Sequence, residues 1–142
     1  MSKVDFYILR VSGEIARQQF ACRLAEKAYR LENRVHIHVA DRNKMQELDD
    51  LLWTFRDGSF VPHEILGATQ DQPSSPVTIG YDSASQTGSD LLINLGESIP
   101  ESASSFPRVA EVVTSDEDNK TQSRHRFVDY RAKGHTIETH KL

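Results

Sequence analysis

The sequence predicts an α/β protein built on a mostly parallel sheet, and three observations carry that prediction. Through the first fifty residues, short apolar runs rich in β-formers alternate with amphipathic helical segments. That order produces strand–helix–strand units with parallel strands and right-handed crossovers. The run Leu91-Leu92-Ile93-Asn94-Leu95 is apolar enough for a central strand covered on both faces. Near the end, Asp116 to Lys133 reads as one helix, with Asp116, Glu117 and Asp118 at its positive end and Gly134 at its stop.

Taken in order, Val4-Asp5-Phe6-Tyr7-Ile8-Leu9 is a buried strand. From Glu14 to about Arg30, Ala16, Phe20, Leu24, Ala28 and Leu31 recur at helical spacing, with Ala21 and Ala25 beside them and Asn33 as the stop. Val35 to Val39 alternates at period two, a second strand. Asn43 followed by Gln46 resembles a capping box, and Met45, Leu48, Leu51 and Leu52 continue that helix. Residues 67–76 form an exposed loop, Val77 to Tyr81 a strand and residues 82–88 a polar turn. Ile99 to Pro107 is loop with room for a short helical turn, and Val109 to Val113 is a further strand. The tail from His135 to Leu142, with Thr136, Ile137 and Thr139, adds an edge strand. No repeat and no linker divides the chain, so residues 1–142 make a single domain, enough for one hydrophobic core.

Composition narrows the class. No apolar run approaches the roughly 18 residues of a membrane span, and no signal sequence opens the chain. One cysteine, Cys22, excludes an intrachain disulfide framework and a Cys-based zinc cage, so the expected location is cytoplasmic. The net charge of −4 is unevenly distributed. Residues 120–142 hold six basic side chains against two acidic ones, a local +4, which leaves eleven against nineteen, or −8, on the rest. An acidic body with a basic end fits one acidic partner better than general nucleic-acid binding.

Catalytic signatures are missing. Leu9-Arg10-Val11-Ser12-Gly13-Glu14, after the first strand, has one glycine and neither the dinucleotide fingerprint nor a phosphate-loop lysine. His36 and His38 share a strand face without an evident third ligand, so a packed or surface pair outweighs a metal site. Asp49 and Asp50 read as helix surface, and Ser12-Gly13 lacks a nucleophile elbow. No cofactor is expected.

Two stretches remain. In Asp49 to His63, three aromatics (Trp53, Phe55, Phe60) fall within eight residues around the turn Arg56-Asp57-Gly58. They are either core residues closing the helix or the anchors of a protein–protein interface. On the last helix, Lys120, Arg124, Phe127 and Arg131 project within roughly 60° of one another at 100° per residue, with Val128 at the edge and Tyr130 turned inward. A stripe mixing cations and apolar groups suits an acidic peptide with an apolar end, or is a solvated face with Phe127 tucked into the core.

Several of these pieces together resemble the chi subunit family of bacterial DNA polymerase III. They are Val4 to Leu9, the Leu52-Trp53 helix end followed by Ser59-Phe60-Val61-Pro62-His63, Asp90 to Leu95, Glu111-Val112-Val113 and Tyr130-Arg131-Ala132-Lys133-Gly134. Phe60-Val61-Pro62-His63 is the most specific of them. The resemblance implies a three-layer α/β/α domain, Rossmann-like without a nucleotide site, and a non-catalytic bridging role. Such proteins pair with the psi subunit of the clamp loader, grip the acidic, Phe-ended tail of single-stranded-DNA-binding protein, and in some cases pair with a helicase through the psi-facing surface. Contact with DNA is then indirect. By the same resemblance Trp53 and Phe60, with Val61 and Pro62 adjacent, face psi or the helicase, and Lys120 and Arg124 receive the tail. Phe127 stands where a Tyr is familiar and Val128 where a Lys is, so one cation is absent and Arg131 is the candidate to compensate. The alternatives are a small nucleotide-binding α/β enzyme and a direct single-strand binder.

Overall fold

In a computed structural model, residues 2–58, 60–65, 75–81 and 89–142 are described. The expected turn at 82–88 and most of the 67–76 loop lie outside them. The elements are β1 (Lys3–Ile8), α1 (Glu14–Arg30), β2 (Val35–His38), α2 (Arg42–Thr54), β3 (His63–Ile65), β4 (Val77–Gly80), β5 (Leu91–Asn94), a 3₁₀ turn (Glu101–Ser105), β6 (Arg108–Val113), α3 (Glu117–Ala132) and β7 (Thr136–Lys141). The strands form one open sheet in the order β3-β4-β2-β5-β6-β1-β7, and every neighbouring pair is parallel.

Both faces of the sheet are covered, so β2 and β4 are buried at every residue and β5 at all but Leu91, even though His36, His38 and Thr78 put polar side chains on one face. On one face, Ala21, Cys22 and Ala25 of α1 and Met45, Leu48 and Leu52 of α2 pack on Ile37, Ile79, Ile93, Ala110 and Val112. On the other, Tyr130 of α3, with Ala103 and Phe106 around the 3₁₀ turn, covers Val4, Phe6, Leu92 and Val109. The first two strands are not neighbours, because β5 and β6 lie between β1 and β2. The expected edge strand is β7, paired with β1 alone.

Three local expectations are corrected. α2 is capped by Asp41, whose extended backbone lets its carboxylate accept the Lys44 N–H at 2.9 Å. Asn43 therefore lies inside the helix and forms no capping box. α1 stops through Glu32 rather than Asn33: Glu32 takes the left-handed conformation at φ 65°. Its N–H reaches the Tyr29 carbonyl while that of Asn33 reaches Ala28, the two bonds of a Schellman stop. Leu31, expected on the buried stripe, is that helix's cap residue and faces solvent. α3 ends by the same motif through Gly134 at φ 83°, as expected.

Candidate functional site

The two stretches singled out in the sequence become two separate surface features. The first lies at the C-terminal end of α2, beside the β3 edge of the sheet. Trp53 is 53% and Phe60 65% exposed, and their ring centroids are 5.9 Å apart. Beneath Trp53, at 4.5 Å, sits the enclosed ring of His63. The Nδ1 of His63 is 2.7 Å from the Val61 carbonyl, a hydrogen bond that holds the platform under the indole, and its Nε2 lies 3.0 Å from the Asp49 carboxylate. Pro62 is half-buried beside it. Val61 corrects the expectation for this stretch: it is 1% exposed and belongs to the α1/α2 core. Its neighbours splay outward while Val61 points in, so it anchors the segment and offers no side chain to a partner.

The second feature is a recess of about 440 Å³ between α3 and the β1/β7 side of the sheet. Its floor is Phe6, Ile8, Val113 and Thr139, and its rim on α3 is Lys120, Ser123, Arg124, Phe127 and Val128. Phe127 is partly buried with its ring against Phe6 at 5.4 Å, so the core and surface alternatives for it are both partly realised. Val128 is exposed, and neither Lys120 nor Arg124 has an ion-pair partner among the described residues. Arg131 is exposed but lies outside the lining, because it sits a turn further along α3.

A buried network that sequence reasoning missed sets the pitch of α3. Glu111 of β6 accepts from Arg126 Nε at 2.9 Å, Tyr130 Oη at 2.6 Å and Asn94 Nδ2 at 2.8 Å. Arg126 also donates to the Glu97 carbonyl and to Ser123 Oγ. Burial, and then the adjacent Glu111, push the Tyr130 phenol above its ordinary range, which keeps it a donor. Ser123, Arg126 and Tyr130 make up the inward stripe of α3, which turns Lys120, Arg124 and Val128 outward. The available signal was a lone Glu inside the apolar run Val109–Val113, a charge that requires a partner.

The other candidates are structural. His36 Nδ1 is 2.8 Å from Thr78 Oγ1 and the ring stacks near Phe106. Burial, and then His38, lower its pKa to about 3. The Asp5, Glu138 and His140 side chains converge, but Arg108 and His140 already bind Asp5 at 3.0 and 2.9 Å, with Lys3 nearby. Burial would raise the Asp5 pKa, yet those hydrogen bonds hold it below the usual carboxylate value. At the N-terminus of α1, where a related fold would cradle phosphate, the Gly13 N–H donates to Asp116 at 2.9 Å. That hydrogen bond, and then one from Thr114, hold the Asp116 pKa low, so a protein carboxylate already takes this amide.

These features define an open-sheet, parallel α/β protein that carries exposed surface patches and has no glycine-rich phosphate loop between β1 and α1. No helix among the described residues is long and apolar enough to cross a membrane. The chain belongs to the DNA polymerase III chi subunit family: the model of the family described as DNA polymerase III chi subunit, HolC, matches residues 1–138. It is 38% identical over 142 residues to the DNA polymerase III subunit chi of Pseudomonas aeruginosa, covering all of this chain and 98% of that protein. The proteins of the same name from Haemophilus influenzae and Escherichia coli are each 31% identical, over 139 and 144 residues. Those matches cover 97% and 98% of this chain and 96% and 97% of the two relatives. A replication accessory role follows from the family.

Proposed function

We propose that the chain is a non-catalytic bridge in the cytoplasmic replication machinery. Its Trp53–Phe60–Pro62 patch holds the psi subunit, or a helicase in its place, and its α3 recess holds the acidic, Phe-ended tail of single-stranded-DNA-binding protein. The observation that carries this reading is the separation of the two features. One borders β3 and the other β1 and β7, at opposite ends of the seven-strand order and on opposite faces. Five or six strand spacings of about 4.8 Å put them roughly 25 Å apart, so neither partner obstructs the other.

In the recess, tail aspartates meet Lys120 and Arg124, and the terminal ring enters between Phe127, Val128 and the strand floor. Exposed ion pairs contribute only about 0.2–1 kcal/mol each. A buried Phe contributes about 1.5–3 kcal/mol, so the ring supplies most of the affinity and the cations supply rate and salt dependence. The test is titration of the tail peptide and of psi against two variants. Arg124→Ala is expected to weaken the peptide and spare psi, and Phe60→Ala to do the reverse. Equal loss of both partners in either variant refutes the two-site reading. A thermal-shift screen with nucleotides addresses the competing nucleotide-binding reading, because a ligand specific for the folded state raises Tm.

A further inference from the structure

The α1 side of the sheet carries a second recess that the bridging role leaves unused. It measures about 580 Å³ and opens where Leu9 and Val11, following β1, meet Phe20 of α1 and Leu142. Val11 is 54% and Leu142 49% exposed. Two cations border it, Arg10 from the β1–α1 loop and Arg23 from α1. Neither has an ion-pair or hydrogen-bond partner among the described residues, whereas Arg17, Arg30, Arg56, Arg108 and Arg126 all pair with an acid.

The chemistry repeats that of the α3 recess. There Arg124 and Phe127 stand three residues apart on a helix, and here Phe20 and Arg23 do the same on α1. Phe127 rests on Phe6 of β1 at 5.4 Å, and Phe20 rests on Tyr7 of β1 at 5.3 Å. Consecutive residues of one chain supply the two floors, Ile8 to the α3 recess and Leu9 to the α1 recess. The Leu142 N–H bonds to the Ile8 carbonyl at 3.1 Å, which fixes Leu142 at that corner. Each helix thus places an aromatic and an unpaired guanidinium over the same end of β1, from opposite faces.

We infer that the α1 recess is a second site for the same class of ligand, an acidic peptide ending in an apolar residue, so that one chain holds two such tails. This rests on the reading of the α3 recess given above. Two guanidiniums that form no ion pair among the described residues suit a terminal carboxylate and an acidic side chain, each in bidentate geometry. The apolar walls between them suit the terminal side chain.

The experiment is an NMR titration of the isotope-labelled full chain with a synthetic acidic peptide ending in Phe. Two clusters of shifted amides are expected, one around Arg124 and Phe127 and one around Arg23 and Leu142, with two peptides bound at saturation. Arg23→Glu is expected to weaken the second cluster by on the order of tenfold or more and to leave the first in place, which also shows that the variant is folded. Arg124→Glu is expected to do the opposite. A single cluster at saturation, or a second cluster indifferent to Arg23→Glu, overturns the proposal. A response to Arg23→Glu together with none to Arg124→Glu keeps the α1 site and overturns the α3 reading instead. Displacement of the peptide from the α1 recess by an equal concentration of single-stranded oligonucleotide also overturns it, since the arginines would then be reading phosphate.

Discussion

Replacing Glu111 by Met tests how firmly α3 is held over the recess it borders. Glu111 is fully enclosed and takes three hydrogen bonds, including the ion pair to Arg126, itself 4% exposed. Glu111→Met leaves that guanidinium buried with only the Glu97 carbonyl and the Ser123 hydroxyl as partners. Removing one member of a buried pair costs about 3–5 kcal/mol. For a chain of this size that is a fall in Tm of roughly 9–15 °C, taking about 3 °C per kcal/mol. Arg126→Met should fall in the same range, because the carboxylate keeps only Asn94 and Tyr130. The double variant removes both charges and replaces them with apolar volume, so it should recover a large part of either loss. A coupling energy of at least about 2 kcal/mol is expected from the cycle. Urea unfolding of the four proteins, at unchanged m-value, is the assay. A loss under about 1 kcal/mol for Glu111→Met, or a double variant as unstable as the two singles summed, would refute the reasoning.

The acid limb of stability should depend on His36. Its folded pKa of about 3 lies below the ordinary 6.5, so the unfolded chain binds the extra proton first. The stabilisation is present above pH 6.5 and is lost as the pH falls toward 3. The slope approaches 1.4 kcal/mol per pH unit inside that window, and His36→Asn should flatten it between pH 6 and 5 in urea titrations. Asp41→Ala removes the α2 cap and should cost about 1 kcal/mol, read as a lower urea midpoint with peptide binding retained. At Gly96 an added Cβ would lie 2.8 Å from His38 Cδ2. Gly96→Ala should therefore cost about 1–3 kcal/mol by overpacking, visible in the same assay.

The α/β class was legible because the strands are short apolar runs and the helices carry their own periodicity. Leu91–Asn94 announces burial on both faces, whereas Val35–His38 alternates at period two and gives no sign that His36 and His38 are buried as well. Sheet order was not legible, since nothing in the local pattern of β1 says that β6 and β7 will flank it. The three-residue β3 was missed because His63-Glu64-Ile65 is too short to show a period. At the candidate sites, Trp53, Phe60, Lys120, Arg124 and Val128 stood out by residue type beside a turn or on a helical stripe. Val61 was placed by adjacency to Phe60, and adjacency fails in extended backbone, where successive side chains point opposite ways. Arg126 went unnoticed as a core residue because a charged side chain on a polar helix gives no sign of burial. Arg10 and Arg23 likewise look like ordinary surface charges until the fold brings them over one recess.

The placement of β1 also shapes how the molecule can be made. This strand is gripped on one side by residues 108–113 and on the other by residues 136–141. Both partners of β1 lie more than a hundred residues further along the sequence, so the strand has no ladder to join until they are made. Contacts spanning so much of the chain slow folding, because the intervening segment must be ordered first. Shortening the protein by its final strand would uncover an edge of the sheet along β1, in the interior of the present strand order, and such a truncated product should self-associate.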